Sequence, residues 1–271
     1  MSMLLRALFA FTGNSLSQRL LFKNLQVSQH LLGIGSGASA GHSGEQAALS
    51  QVYARSGPPY CVFDVGANKG QFLRLALDAA GARAITVHSF EPGRETFALL
   101  RAGFGSEPRA RLNNFALGRE DGAATLHYHE VGTGMASLTR RRLEHAGVDF
   151  SLGEQVRITT IDAYCRDNAV DRIDLLKIDI EGHELDALAG AAGLFDRKAI
   201  GAVAFEFGGC NIDTRTYFQD FWYFFRDRGM DLYRITPSGY MHPVGAYKES
   251  HEQFKTTNFV ALRRTPAQGA S

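Results

Sequence analysis

Cys61-Val62-Phe63-Asp64-Val65-Gly66-Ala67-Asn68-Lys69-Gly70-Gln71-Phe72 is the stretch whose reading decides the fold. It reads as a short apolar strand, a turn punctuated by glycine, and the start of a helix. The apolar face of that helix is carried by Phe72, Leu73, Leu75 and Ala76. An acid at a strand end followed by Gly-x-x-x-Gly suits an adenosine-containing ligand. Small residues let the ligand approach the backbone, and free N–H groups at the helix start face it. The dinucleotide fingerprint fails, because Asn68 occupies its second glycine position. The residues flanking Lys69 are not those of a phosphate-binding P-loop, and no pyrophosphate cradle is indicated.

Downstream, Ala84 to Pro92 reads as the next strand and ends in an acid before proline. Glu91 lies 27 residues after Asp64, close to the strand-helix-strand spacing at which an acid meets ribose hydroxyls. A carboxylate has two oxygens for the two vicinal hydroxyl donors. The order and spacing of the two motifs together point to S-adenosylmethionine.

At 271 residues and 45% hydrophobic content, the chain can bury a full core: one domain, or one plus an appendage. A formal net charge of +1 argues against nucleic-acid binding through global positive potential. Cys61, Cys165 and Cys210 lack metal-ligand spacing and read as thiols in a reducing compartment. No apolar run approaches a membrane span. The opening Met3–Phe11 lacks a basic n-region and is interrupted by Arg6, so a cytoplasmic protein is expected.

Residues 1–58 read as a helical extension with a Gly/Ser lid or linker, 59–264 as the main domain, and 265–271 as a loose tail. Within the extension, a helix reaches to about residue 32 through Leu16, Leu20, Leu21 and Leu25. The Gly/Ser stretch 33–44 follows, read as a linker in preference to a lid. Glu45 to Arg55 make a helix that feeds the first strand.

Beyond Glu91, a helix over 94–101 and a third strand over 111–117 are expected, then an alternating strand over 123–130. In that strand His127 and His129 read as a solvated face and not as metal ligands. Residues 131–155 are Gly-rich and polar, too long for a tight connection. The run Arg140-Arg141-Arg142 within them reads as a solvated face in preference to an attractor of an anionic substrate. A strand over 156–161 and a helix over 162–167 come next.

Asp174-Leu175-Leu176-Lys177-Ile178-Asp179-Ile180-Glu181-Gly182-His183-Glu184 carries the densest chemistry. A period of two puts Lys177, Asp179 and Glu181 on one side of a strand that should be apolar on both faces. Charges there are costly unless paired or placed at the ligand-facing end. Ala199 to Phe207 repeats the pattern, with Glu206 near its end. A helix over 214–228 with core aromatics and closing strands over 231–235 and 258–263 complete the domain.

These motifs resemble the FkbM family of methyltransferases: Asp-Val-Gly-Ala-Asn-Lys-Gly-Gln-Phe (64–72), Phe-Glu-Pro (90–92), Ala-Leu-Gly (116–118) and Lys-Ile-Asp-Ile-Glu-Gly-His-Glu (177–184). The resemblance spans roughly 30–262 and includes the prelude Gly-Ile-Gly-Ser-Gly (33–37) and Ser-Gly-Glu (43–45). It implies a class I methyltransferase fold, Rossmann-like and doubly wound, with a mostly parallel sheet of about seven strands. It also implies S-adenosylmethionine as donor and O-methylation of a sugar, glycan or natural-product hydroxyl. By position, Asp64, Gly66, Asn68, Gly70 and Glu91 would hold the cofactor. Asn114 and Ala116 would border the adenine, and Asp179 would lie near the methyl group.

A hydroxyl acceptor must lose its proton as the new bond forms, and Asp179, Glu206 and His183 are candidate bases, with Lys177 steadying a carboxylate or alkoxide. Alternatively Asp179, Glu181 and Glu206 would hold Mg²⁺ or Mn²⁺ that acidifies the hydroxyl; direct base catalysis ranks above this. The expected partner is a small-molecule or glycan acceptor. The competing readings are an NAD- or nucleotide-sugar-dependent oxidoreductase and a non-enzymatic adenosine sensor.

Overall fold

The structure is a computed structural model that describes residues 9, 11–37 and 44–264. The strand-turn-helix of the opening motif forms as read: β1 spans Tyr60–Val65 and the helix after it spans Gln71–Ala80. β2 (Ile85–Phe90) and β3 (Ala110–Asn113) follow, with the helix Arg94–Phe104 between them. β4 (Ala116–Leu117), β5 (Gly122–Tyr128) and β6 (Leu152–Thr159) come next. The chain closes with β7 (Ile173–Ile178), β8 (Ile200–Phe207), β9 (Met230–Ile235), β10 (Met241–Pro243) and β11 (Thr257–Arg263). The main sheet has eight strands in the order β10-β9-β11-β8-β7-β1-β2-β3. The neighbours from β8 through β3 run parallel, whereas β11 is antiparallel to both β8 and β9. Seven strands reproduce the expected sheet, and β10 adds a three-residue edge.

Helices cover both faces, as a buried parallel sheet requires. On one face Glu45–Arg55 and Gln71–Ala80 pack Leu49, Phe72 and Leu73 against Val62 and Val87. Leu49 and Ala48 are fully buried, so the core already includes residues before 59. On the other face the helix Phe218–Asp227 lays Phe221 flat on Phe205 of β8, ring centroids 4.7 Å apart. Its aromatic stripe is core, as its helical spacing indicated.

From β1 the chain winds outward to β2 and β3 on one side, and from β7 to β8 on the other. This reversal between β1 and β7 leaves a crevice at the carboxyl ends of the strands. Asp64 lies beside Lys177 in the β1–β7 register. The charged residues read from the sequence therefore gather at that crevice.

Four expectations are corrected. The third strand breaks after Asn113, and Ala116 and Leu117 belong instead to a separate sheet ordered β4-β6-β5. β6 begins four residues before the expected strand because its pairing with β5 runs back to Leu152, through residues too exposed to show an apolar pattern. The helix expected over 214–228 is divided into Cys210–Thr214 and Phe218–Asp227, with Arg215 in a left-handed conformation (φ 56°) between them. The described part of the Gly/Ser stretch is seated and not a free linker. Ile34 and Ser36 are buried, and the amides of Gly35 and Gly37 donate to the carbonyl of Thr256. The rest of that stretch, and the tail from 265, lie outside the described residues.

Candidate active site

Two cavities open at the crevice and share Gly66, Asn68, Gly134, Asp179 and Glu181. The first encloses about 750 Å³ with its open mouth. Phe90, Phe115, Ala116 and Leu117 give it apolar walls, and Glu91 gives it a carboxylate. The second is lined by Glu45, Arg141, Lys177, Glu206 and Gly37 in addition to the shared residues.

Glu91 is held rigidly. Its Oε2 accepts the Asn68 amide at 2.9 Å and its Oε1 accepts the Gly93 amide at 2.8 Å. Each oxygen keeps a further lone pair for a hydroxyl donor. Asn68 meets this contact by adopting a left-handed φ of 47°, tolerable for asparagine. Its Nδ2 donates to the Thr133 carbonyl, whereas its buried Oδ1 receives no hydrogen bond.

Two of the residues expected at the cofactor have clear packing roles, and Gly66 also lines both cavities. A Cβ on Gly66, where φ is +82°, would sit 1.9 Å from the Asp179 carbonyl oxygen, so glycine lets the β1 and β7 ends approach. Gly70, with φ +91°, admits the Phe104 ring against the helix start and lines neither cavity. Asn114 likewise stands outside the walls. Its Nδ2 donates to the Glu91 and Pro92 carbonyls at 2.9 and 3.0 Å, fixing the turn that presents Glu91. Ala116 is in the wall of the first cavity.

Lys177 ties three groups together. Its Nζ lies 3.4 Å from Asp64 Oδ1 and 3.7 Å from Asp179 Oδ2, and it donates to the Gly66 carbonyl. Asp64 is fully buried and neither oxygen receives a hydrogen bond of good geometry. Burial pushes its carboxyl up to about 6, against the pull of the Lys177 ammonium. For Lys177 burial acts to lower the pKa, but Asp64 and Asp179 outweigh it and hold the ammonium charged. Asp179, with 39% of its side chain exposed, is the acid of this group open to the crevice.

Strand alternation stops at Ile178, because Glu181 and Gly182 turn through left-handed backbone (φ 56° and 104°). Glu184 closes this turn by accepting the amides of Ile180 and Gly182 at 3.1 and 3.0 Å. Glu181 then pairs with Arg141, whose Nε also lies 3.5 Å from Asp213. The arginine run is thus not a uniformly solvated face: the Arg141 side chain is only 9% exposed. A run of three like charges does not show which member turns inward, and both acids that bind Arg141 are remote in sequence.

Glu206 sits in the wall of the second cavity, its acidity suppressed first by burial and then by the charges of Asp179 and Glu181. His183 lines the first cavity and not the second. Its two ring nitrogens face Asp186 Oδ2 and Thr139 Oγ1, both at 3.0 Å. Among the described residues, no group of three or more His, Cys, Asp and Glu side chains has the arrangement of a metal site. The candidate trio of Asp179, Glu181 and Glu206 is therefore not gathered as ligands, since Glu181 is engaged by Arg141.

The buried Glu91 has a measurable signature. Burial pushes its carboxyl up from 4.5 to about 7, with the amides of Gly93 and Asn68 opposing. The folded protein then holds a proton that the unfolded chain releases, so this contribution to stability is complete below about 4.5 and is lost as pH rises through about 7. Tm is expected to fall between about pH 5 and pH 8, and Glu91→Gln to make the fall shallower. Superimposable slopes for the two proteins would dismiss Glu91 as the titrating group.

Residues 64–232 match the model of the methyltransferase FkbM domain. The chain is 31% identical over 169 residues to 31-O-demethyl-FK506 methyltransferase FkbM of Streptomyces tacrolimicus, covering 52% of this chain and 64% of that protein. It thus spans less than two thirds of this curated relative's length. Among solved structures, methyltransferase FkbM of Methylobacillus flagellatus KT is similar at 17% identity and a TM-score of 0.44, covering 78% of this chain and 47% of that one. An S-adenosylmethionine-dependent O-methyltransferase of Thermotoga maritima is similar at 11% identity and a TM-score of 0.41, covering 83% and 66%.

Proposed function

From the premise that the chain belongs to the FkbM methyltransferase family, we propose that it transfers a methyl group from S-adenosylmethionine to a hydroxyl of a sugar, glycan or natural product. The observation that carries this reading is the meeting of two cavities at Asp179, one walled for a nucleoside and one lined with acids. The Streptomyces relative is named for action on 31-O-demethyl-FK506, a natural product, which supports an acceptor of that class.

The residues present fit the cofactor. Glu91 offers two oxygens to vicinal ribose hydroxyls, and Phe90, Phe115 and Leu117 offer a dry wall to a purine. The buried, unbonded Oδ1 of Asn68 stands at the junction of the cavities as a further acceptor. S-adenosylmethionine, when bound, supplies an electrophilic methyl group on a sulfonium.

The chain's own part is alignment and proton removal. Alignment of two reactants supplies much of the barrier reduction in an in-line displacement. Asp179 faces both cavities and takes the proton of the acceptor hydroxyl, while Lys177 fixes the orientation of its carboxylate. Burial and the neighbouring charges of Asp179 and Glu181 favour the protonated form of Glu206, which suits it to donate a hydrogen bond to an acceptor oxygen. His183, bonded through both ring nitrogens, steadies the segment around Thr139. No metal ion has a role in this scheme.

Isothermal titration with S-adenosylmethionine, S-adenosylhomocysteine and NAD tests the cofactor. The first two are expected to bind and NAD to fail. Glu91→Ala removes acceptors for two hydroxyls, each such charged hydrogen bond contributing roughly 1.5–3 kcal/mol, so affinity is expected to fall at least about tenfold. Binding of NAD alone would overturn the methyltransferase reading. Unchanged affinity in a folded Glu91→Ala variant would leave the ribose assignment without support.

A further inference from the structure

The helix Ser15–Leu31 buries none of its residues. Leu16, Leu20, Leu21, Phe22, Leu25 and Leu31 stand between 50% and 69% exposed, and Phe9 and Phe11 before the helix are exposed as well. At about 100° per residue, Arg19, Lys23 and His30 fall on one narrow arc. The apolar side chains spread over most of the remaining circumference, interrupted there by uncharged serine, asparagine and glutamine. Residues 1–44 contain no Asp or Glu. With 17 residues this helix cannot cross a bilayer, and no described helix is long and apolar enough to do so.

We infer that this helix docks the protein on an anionic lipid surface, lying in the plane of the interface with its leucines inserted and its cations among the headgroups. A helix that lies in such an interface carries enough polar residues to stay out of the bilayer core, a broad apolar face and a cationic flank. This one has all three. Helix-to-helix pairing between copies is disfavoured for two reasons. A coiled-coil seam is a narrow stripe, whereas here the apolar residues surround more than half the helix. A second copy of the helix also offers no acid to the cationic arc, since residues 1–44 contain none.

The helix is tied to the rim of the second cavity. Gln29 receives a hydrogen bond from Lys255 Nζ and donates to Gln253 Oε1, both at 2.7 Å, and Thr256 next to them lines that cavity. Gly37, six residues beyond the helix, lines it too. Docking through the helix would bring this cavity, and not the opposite edge of the sheet, toward the lipid. Such docking is independent of the methyltransferase reading.

Co-sedimentation of the full chain with vesicles tests it. Phosphatidylcholine vesicles with about one quarter phosphatidylglycerol are expected to take up the protein at least about tenfold better than phosphatidylcholine alone, with uptake weakening as salt is raised. The double variant Arg19→Glu/Lys23→Glu is expected to lose that preference, again by about tenfold or more, because each cation near an anionic surface contributes appreciably. Leu21→Ser/Leu25→Ser should lower uptake with Tm unchanged, since neither side chain is buried. Equal uptake by neutral and anionic vesicles, or none by either, overturns the inference. So does a dimer seen by light scattering without lipid that Leu21→Ser/Leu25→Ser dissolves, which would assign the face to self-association.

Discussion

Replacing Asp179 with asparagine is expected to lower kcat by about two orders of magnitude or more, while the affinity for S-adenosylmethionine changes far less. Asparagine keeps the size of the side chain and cannot take a proton. The lost interaction therefore belongs to the transition state, and a loss of that size corresponds to roughly 2.7 kcal/mol of barrier. Asp179 is singled out because it lines both cavities and is far more exposed than its partner Lys177. The measurement is release of S-adenosylhomocysteine with an acceptor that the parent methylates, alongside titration of the cofactor. Chelation provides the control for mechanism. Turnover that survives EDTA and falls as pH drops through one ionisation is the expected pattern for a protein base. Turnover abolished by EDTA and restored by Mg²⁺ would make the carboxylates ligands. A variant as fast as the parent would clear Asp179 of any chemical role.

Lys177→Met is expected to destabilise the fold by about 3–5 kcal/mol, because it leaves a fully buried carboxylate without its cation. Methionine fills much of the same volume, so the penalty comes from charge and not from a cavity. Adding Asp64→Asn should recover most of the loss, since removing both charges of a buried pair costs far less than removing one. Urea unfolding of the two single variants and the double variant measures this coupling. pH supplies a second readout. Asp64 already ionises only at about 6 beside its lysine, and without that cation its pKa rises further. The deficit of Lys177→Met should thus shrink as pH falls and Asp64 becomes neutral. A double variant no more stable than Lys177→Met would show that the pair is not what offsets the burial of Asp64.

Spacing and alternation in the chain were enough to place the strand ends at which Asp64, Glu91, Lys177 and Asp179 stand. Each of those positions is set locally: a short apolar run, then an acid or a lysine, then glycine or proline. Buried parallel strands carry an unusually clear signal of this kind, because everything within them is apolar except what function or pairing demands. The mostly parallel, doubly wound sheet of about seven strands was implied by the resemblance, whereas the order of its strands is read from the structure. What only the tertiary structure decided was the part built from contacts between distant segments. Asn114 holds the turn that presents Glu91, Gly70 admits the Phe104 ring and Gly66 lets two strand ends approach, contacts that the motif by itself does not specify. Arg141 leaves a run of like residues to pair with Glu181 and Asp213, 40 and 72 positions further along the chain. The break after Asn113 arises because β4 finds its hydrogen bonds on β6, which lies some forty residues further along the chain. Local patterning records which faces are dry and which turns need glycine. It holds no trace of which remote charge or strand edge will lie opposite, because that is settled by the packed sheet as a whole.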